Sequence, residues 1–370
     1  MLHLVGTTFS DTPLRLFSSH LVLLSLGALT SAIATWLTLP KFWDKLPHDH
    51  GKALTPGGEL SKGKPTGAGI IIALTMLPIL LLVMPLDINI FIVIAMLYLI
   101  MLFGYFDDRA AKPWGQLKKF LLDTICCLGV AIALYNAGAN YIWLPLTTKT
   151  FTLSAWSFIP MATLILAISV NSFNCSDGVD GLAGTLGIMS LLSIAALLYL
   201  VLGYKPVADY LLLPHYPGSA KWAILSVTIS GAFAGYLWHN AEPSKVLMGD
   251  AGSRMFGLAI GAAVLATGNP LMIFIFAPMI LLNGGSGLVK LVLLRIFKKF
   301  GLDTTPSSTL SSEEAAKQNI VVRGLHSIRL PLHDHVRKNL GWKNSQVLMR
   351  FVLIQSLLIP ILFALFTKVR

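Results

Sequence analysis

The chain has 370 residues, of which 55% are hydrophobic and 12% charged, and its mean hydropathy is +0.73. Soluble domains carry about 25% charged residues, so a chain of this composition cannot cover its apolar surface with a polar exterior and must face lipid. The composition excludes a disordered chain, a secreted disulfide scaffold and, despite the net charge of +11, a nucleic-acid binder.

The apolar segments predict an all-α, polytopic membrane protein that forms a single integral membrane domain over residues 1–370. A spanning helix needs about 20 mostly apolar residues. The predicted spans, about ten, are residues 20–42, 67–85, 88–105, 118–136, 157–172, 182–203, 220–239, 254–268, 270–300 and 347–367. The first is too long for a signal peptide and is interpreted as a retained span. The run Asn283-Gly284-Gly285-Ser286-Gly287 predicts a break or kink in the ninth span.

The positions of Lys and Arg predict the orientation, because positively charged short loops stay in the cytoplasm. Most of these residues fall in alternate connections, which places both termini outside. The predicted cytoplasmic loops are residues 43–66, 106–117, 173–181, 240–253 and 301–346. Six acidic residues and several histidines fall at the same helix ends, so we expect these loops to form an active site that faces the cytoplasm. The six are Asp107, Asp108, Asp177, Asp180, Glu242 and Asp250.

Four groups of polar residues at that face are the candidates for catalysis and substrate binding. Asp107 and Asp108 close the third span, and adjacent ionised carboxylates are easiest to hold beside a divalent cation or lysines. An ordinary polar helix cap is the alternative. The second group is a loop with two Asx-Gly turns, whose acidic and amide residues exceed what a turn needs. Its polar residues are Asn171, Asn174, Asp177 and Asp180.

The third group is Gly249-Asp250-Ala251-Gly252-Ser253, just ahead of an apolar helix. Orphan N–H groups at a helix start suit phosphate together with a metal, although Ser253 also fits a simple N-cap. The fourth group is His333-Asp334-His335 among cationic residues. It suits binding of a diphosphate, acid or base chemistry, or zinc, and a solvated basic loop is the alternative.

Carboxylates for a hard cation, cations for phosphate oxygens and tight turns are the mixture that phosphoryl transfer needs, with Mg²⁺ as the usual neutralising agent. The membrane position suggests a phosphate on a lipid tail as the second substrate. Lys118 and Lys119, at the inner end of the fourth span, are placed to receive it, unless they are only snorkelling anchors.

At these residues the sequence resembles the phospho-N-acetylmuramoyl-pentapeptide transferase family, over most of the chain. The motifs are Asp107-Asp108, Asn174-x-x-Asp177-Gly-x-Asp180-Gly-Leu-Ala, Met248-Gly249-Asp250-x-Gly252-Ser253 and Pro331-Leu-His333-x-His335. The resemblance implies ten spans, a homodimer in the bacterial cytoplasmic (inner) membrane, and transfer of phospho-MurNAc-pentapeptide from UDP-MurNAc-pentapeptide to undecaprenyl phosphate. The products would be lipid I and UMP.

The resemblance also implies roles for individual residues. Asp250 would be the main Mg²⁺ ligand, and Asp107 and Asp108 would serve the metal or activate the lipid phosphate, with His333 as a further catalytic residue. The residues that would bind substrate are Lys62, Thr66, Lys119, Asn171, Asn174, Asp177, Asp180, Asn240, His333, Asp334 and His335.

This sequence departs from the family pattern at three places. Asp334 replaces the middle of three consecutive histidines, Leu247 stands where an aromatic residue is common, and Arg254 replaces an apolar residue after the Gly-Asp motif. The alternatives are a UDP-GlcNAc:undecaprenyl-phosphate GlcNAc-1-phosphate transferase, a membrane transporter, and a non-catalytic lipid-phosphate-binding protein. Transporters keep essential charge near the bilayer midplane, whereas nearly all charge here lies at the inner face.

Overall fold

A computed structural model describes residues 1–49, 51, 61–143, 149–305 and 319–367. The helices in chain order are α1 (Leu2–Thr8), α2 (His20–Phe42), α3 (Gly69–Val83), α4 (Ile88–Arg109), α5 (Gln116–Asn136), α6 (Ala155–Ser176), α7 (Leu182–Ala196), α8 (Lys205–Tyr210), α9 (Ser219–Asn240), α10 (Gly249–Ala266), α11 (Met272–Phe276), α12 (Pro278–Ile280), α13 (Ser286–Lys299), α14 (Ile320–Ser327), α15 (Leu332–Asn339) and α16 (Asn344–Thr367).

Shorter elements complete the chain. The 3₁₀ helices Pro13–Ser18 and Trp43–Lys45 flank α2, and π-helical turns at Leu197–Leu202 and Leu281–Gly285 follow α7 and α12. The strands β1 (Tyr141–Trp143) and β2 (Thr150–Thr152) form an antiparallel pair, which the all-α prediction did not include. The pair is a minor addition at the end of α5.

The prediction of an all-α, polytopic membrane protein is confirmed. Within the described residues, seven helices are long and apolar enough to span a bilayer. The other predicted spans coincide with α3, which is apolar but shorter, and with α5 and α10, which carry charged residues in their first turns. The span count of ten and the outward position of both termini stay predictions.

The ninth predicted span is interrupted, but the interruption begins earlier than the glycine run. The span consists of α11, α12 and α13, and Ala277 between the first two has non-helical angles (φ −126°, ψ 37°). Pro278 explains the position, because proline disfavours a helical conformation at the preceding residue. Asn283, Gly284 and Gly285 lie in the π-helical turn instead.

The most enclosed helix is α10, which is buried continuously from Ala251 to Ala266. It contacts α3, α4, α5, α6, α7 and α9. Around this centre, α2, α13 and α16 expose large apolar side chains such as Trp36, Leu291 and Leu357, as lipid-facing helices do. The first turn of α10, which contains Asp250, therefore belongs to a helix that is packed against many neighbours.

Near its C-terminal end, α4 approaches the first turn of α10 closely at Gly104. A Cβ atom on Gly104 would lie 2.4 Å from the carbonyl oxygen of Asp250, so only glycine permits the approach. Asp107 and Asp108 follow three and four residues later and share that helix face. The packing of α4 on α10 thus brings carboxylates from distant parts of the chain together.

The predicted cytoplasmic loops 43–66 and 301–346 lie partly outside the described residues, at 50, 52–60 and 306–318. The described part of the second loop contains α14 and α15. His333, Asp334 and His335 therefore lie on a short helix that begins after Pro331, and the alternative of a solvated loop for this group is wrong. Proline suits a helix start because the first N–H groups lack intrahelical partners.

Candidate active site

The centre of the candidate site is a lysine that bridges two carboxylates. Lys119, in the first turn of α5, places Nζ 3.1 Å from Oδ2 of Asp250 and also pairs with Oδ2 of Asp107. The other oxygen of Asp107 accepts a hydrogen bond from the backbone N–H of Trp114 at 2.7 Å. The ammonium group offsets the repulsion that the two carboxylates would otherwise exert on each other.

Asp108 faces the backbone of α10. Its Oδ1 accepts a hydrogen bond from the N–H of Asp250 at 2.9 Å, and its Oδ2 accepts one from the N–H of Ala251 at 3.1 Å. These donors belong to the first helical turn, which lacks intrahelical partners. Gly249 has φ +68°, and a Cβ atom there would lie 2.3 Å from Oδ2 of Asp108. Asp108 therefore fixes the turn that presents Asp250.

Asp250 is surrounded by donors on both oxygens. Nδ2 of Asn174 donates to its Oδ1 at 2.9 Å, and Nη2 of Arg254 donates to its Oδ2 at 2.9 Å. Nδ2 of Asn174 also contacts Oγ of Ser253 at 2.8 Å. Asp250 precedes the predicted span 254–268. Burial acts to raise the pKa of this carboxyl, but Arg254 and Lys119 outweigh it and hold the pKa well below its ordinary value.

A fourth carboxylate, which the sequence analysis missed, lies behind this group. Nη1 of Arg254 donates to both oxygens of Asp123, at 2.9 and 3.1 Å, and both residues are buried. A signal existed, because Asp123 is an ionisable residue inside an apolar span and lies one helical turn from Lys119. Arg254, which departs from the family pattern, therefore has a buried ion-pair partner in Asp123.

The second polar loop is tied to the chain that precedes α10. Oδ2 of Asp180 accepts a hydrogen bond from the N–H of Ser244 at 3.0 Å and lies 3.5 Å from Nζ of Lys64. Lys64 also donates to Oγ of Ser244 at 2.8 Å. The cluster joins three loops that are far apart in the sequence.

Asn240 is buried and bonded to backbone at both ends of its amide. Its Oδ1 accepts from the N–H of Gly181 at 2.8 Å, and its Nδ2 donates to the carbonyl of Val246 at 2.8 Å. In this arrangement the side chain holds two loops together. Asn171 turns back on its own helix and donates to the carbonyl of Ala167 at 2.8 Å.

The segment that contains Thr66 runs beside the Gly-Asp motif. Leu247 donates through its N–H to the carbonyl of Pro65 at 2.8 Å, and its carbonyl accepts from the N–H of Ala68 at 3.1 Å. Thr66 itself donates through its N–H to the carbonyl of Pro47 at 2.8 Å. Lys62 lies nearby in the same segment and is exposed.

Two further predicted residues flank the end of α6. Asp177 directly follows this helix, and its N–H donates to the carbonyl of Asn174 at 3.2 Å. The imidazole of His333 packs directly against Gly178, the next residue. The second loop therefore connects the carboxylates to the helix that carries the histidines.

His333 is buried and anchored by a residue of the ninth span. Oδ1 of Asn283 lies 2.9 Å from the backbone nitrogen of His333 and 3.1 Å from its Nδ1. An amide oxygen accepts only, so Nδ1 carries a proton, while Nε2 faces the carboxylate of Asp334. From the sequence, Asn283 is expected only as part of the glycine run in the ninth span, so its contact with His333 adds a new member to the site.

His335 has different surroundings from His333, whereas Asp334 lies beside the His333 ring, with its Oδ1 3.6 Å from Nε2 of His333. Nδ1 of His335 accepts a hydrogen bond from the N–H of Arg329 at 3.2 Å, and Asp334 lies 3.6 Å from Nη1 of Arg337. Residues two apart on a helix do not share a face. The two histidines therefore do not converge on one ligand.

The donor set suits a hard cation that is completed by substrate. Within the described residues, no group of three His, Cys, Asp or Glu side chains is assembled as a metal site. Mg²⁺ is commonly bound by one or two carboxylates together with substrate phosphates and waters. Asp250 and Asp107, joined through Lys119, fit that pattern.

Comparisons with known proteins agree with this arrangement. Residues 90–268 match the family model described as glycosyl transferase family 4. A phospho-N-acetylmuramoyl-pentapeptide-transferase of Treponema pallidum is 38% identical over 362 residues, covering 97% of this chain and 93% of that relative. A protein of the same name from Gemmatimonas aurantiaca is 30% identical over 323 residues, covering 81% and 80%. The chain therefore belongs to the phospho-N-acetylmuramoyl-pentapeptide-transferase family.

Proposed function

We propose that the chain transfers phospho-MurNAc-pentapeptide from UDP-MurNAc-pentapeptide to undecaprenyl phosphate, giving lipid I and UMP in peptidoglycan synthesis. The observation that carries this proposal is the convergence of Asp107, Lys119 and Asp250 from α4, α5 and α10. The names of the relatives support the same reaction. The convergence also favours an enzyme over a transporter, because the charged groups meet at one end of the bundle.

We propose a one-step transfer. An oxygen of the lipid phosphate attacks the β-phosphorus of the UDP-sugar, and the bond from that phosphorus to the bridging oxygen breaks, so UMP leaves with the electron pair. A phosphate monoester is mostly ionised near neutral pH, since its second pKa is about 6. The attacking oxygen therefore needs to be positioned more than deprotonated. For the fraction of lipid phosphate that still carries a proton, Asp107 accepts that proton.

Lys119 is the proposed receptor of the lipid phosphate. Its ammonium lies at the start of α5, at the predicted inner end of a span, where a lipid head group is within reach. The group already attracts two carboxylates, and phosphate oxygens would exchange with one of them. Asp108 has both oxygens on backbone N–H groups of α10, which supports a positioning role over that of a nucleophile.

Mg²⁺ is the proposed cofactor. Asp250 would hold it, with Asp107 and Asp108 as second candidates, and the substrate diphosphate would complete the coordination. When bound, the cation neutralises charge on the diphosphate. Asn174 supports this assignment, because its amide holds Oδ1 of Asp250 in one orientation.

The nucleotide-sugar is proposed to lie across the loops around α10 and α15. The residues proposed to contact it are Lys62, Thr66, Asn171, Asn174, Asp177, Asp180, Asn240, His333, Asp334 and His335. Among these, Asp180 is linked to Lys64 and Ser244, and His333 lies against Gly178, so the loops form one continuous surface. Asn240 would act by holding that surface in place.

The location and the assembly state also belong to the proposal. We place the protein in the bacterial cytoplasmic membrane with the active site facing the cytoplasm, because the cationic connections adjoin the carboxylates. The homodimer implied by the resemblance is tested by light scattering of the detergent-solubilised chain. A mass of one chain per particle would contradict it.

The reaction itself is tested with purified protein, undecaprenyl phosphate and UDP-MurNAc-pentapeptide, by measuring UMP and the lipid product. We expect UMP release that stops with EDTA and returns with excess Mg²⁺. UDP-GlcNAc in place of the peptide substrate distinguishes the GlcNAc-1-phosphate alternative. Release of UMP from UDP-GlcNAc but not from UDP-MurNAc-pentapeptide would contradict the proposed substrate. Release from neither would contradict the proposed enzyme activity.

A further inference from the structure

Two oppositely charged pairs are stacked one helical turn apart between α5 and α10. Lys119 and Asp123 lie four residues apart on α5, and Asp250 and Arg254 lie four residues apart on α10. Lys119 faces Asp250 across the two helices, and Asp123 faces Arg254. We call these residues the four-charge array. Its deeper pair, Asp123 and Arg254, is nearly inaccessible to solvent, with exposed fractions of 4% and 6%.

Arg254 links the two levels of the array. Its Nη1 donates to both oxygens of Asp123, while its Nη2 donates to Oδ2 of Asp250 at 2.9 Å. A planar guanidinium can bind two carboxylates at once in fixed directions, which the single nitrogen of lysine cannot. Asp123 thus anchors Arg254, and Arg254 in turn holds one oxygen of Asp250.

We propose that Arg254, anchored by Asp123, is a positioning residue that orients the Asp250 carboxylate for a divalent cation. The inference rests on the proposed function, in which Asp250 is the metal ligand. Arg254 donates to Oδ2 beside Lys119, and Asn174 donates to Oδ1, so contacts on both oxygens restrict rotation of the carboxylate. Asp123 also balances the charge of Arg254, which would otherwise repel a cation beside Asp250.

Charge-neutral changes separate orientation from electrostatics. Replacing both Asp123 and Arg254 with leucine removes one charge of each sign, and a buried ion pair replaced by packed apolar residues commonly leaves a fold stable. Arg254→Lys keeps the positive charge but cannot bridge the two carboxylates. Asp87→Asn, at the far end of α4, breaks the ion pair with Lys221 and serves as a matched control.

The test measures binding of Mn²⁺ to the purified full chain by electron paramagnetic resonance, in parallel with kcat and KM. For the double leucine variant and for Arg254→Lys we expect a Mn²⁺ dissociation constant raised by about 10- to 100-fold, the usual effect of losing a residue that orients a metal ligand. We expect kcat to fall while KM for the UDP-sugar stays within about twofold. Asp87→Asn should bind Mn²⁺ as the parent does.

Parental Mn²⁺ affinity and parental kcat in a folded double variant, or in Arg254→Lys, would overturn the inference, since the pair would then only fill a buried space. A parent chain without saturable Mn²⁺ binding would overturn it as well. A parent that binds Mn²⁺ but releases no UMP would count against the proposed reaction instead, and the Mn²⁺ affinities of the variants would still decide this inference.

Discussion

Nζ of Lys119 lies 3.1 Å from Oδ2 of Asp250, although the two residues are 131 positions apart in the chain. The same ammonium pairs with Asp107, so one flexible side chain holds together carboxylates from two other helices. A cation in this place suits an incoming phosphate, because phosphate oxygens attract it as strongly as the carboxylates do. The ammonium of Lys119 would therefore both hold the two carboxylates together and attract the phosphate of a substrate.

Lys119→Met should lower kcat/KM for undecaprenyl phosphate by about 100-fold, because the variant loses the charge that receives the lipid phosphate. Initial rates at varied lipid concentration measure this effect. Lys118→Met is the matched control, because Lys118, which the sequence placed beside Lys119 as a phosphate receptor, stacks on the ring of Trp114 instead of contacting Asp107 and Asp250. Equal losses in both variants would point to a general effect of surface charge and contradict the assignment.

Asp250→Asn should abolish turnover, with a loss of at least about 100-fold, because an amide carries no charge for the cation. The fold should survive, since Arg254 keeps its contacts with Asp123. UMP release and the melting temperature of the detergent-solubilised protein measure the two effects separately. A fully active variant would refute the metal assignment.

Asp108→Ala should destabilise the protein by about 2 kcal/mol, because two N–H groups at the start of α10 lose their side-chain acceptor. Chemical denaturation measured through helix content checks this value. Asp108→Asn retains one acceptor oxygen and should recover part of the stability.

Isolation of a chain phosphorylated at Asp108 during turnover would contradict the one-step transfer.

Asn283→Ala should lower kcat by about 10-fold, because His333 would lose the oxygen that fixes its protonated nitrogen and its ring orientation. His333→Ala should cost at least as much, and the double variant should be no worse than His333→Ala alone. A double-mutant cycle on kcat provides the measurement. Additive losses would show that Asn283 acts independently of His333.

Much of this architecture was accessible from the sequence, because lipid imposes simple rules on apolar segments. Each of the predicted spans coincides with a helix or, for the ninth, with a broken set of helices. The glycine run does depart from α-helix, in the π-helical turn Leu281–Gly285, but the earlier interruption at Ala277, before Pro278, was not predicted. Periodicity and composition do not carry such local backbone effects.

The sequence indicated that Asp107 and Asp250 lie near each other, and the structure joins them through Lys119, but the sequence did not indicate the individual contacts. The gathering of Asp107 and Asp250 follows from motifs at one face of the membrane. Which partner each residue chooses depends on tertiary packing, so neither the backbone-capping role of Asp108 nor the bond from Asn240 to Gly181 was foreseen. The short helix that buries His333 against Gly178 was hidden, because eight residues give too little periodicity.

The contact at Gly104 has a consequence for how the site responds to its surroundings. At Gly104 the two helices approach so closely that no side chain fits between them, and the neighbouring hydrogen bonds from α10 to Asp108 are partly buried. Added electrolyte weakens the attraction between exposed ions but leaves such contacts unchanged. Concentrated salt should therefore slow the arrival of anionic substrates without widening the gap that the carboxylates line.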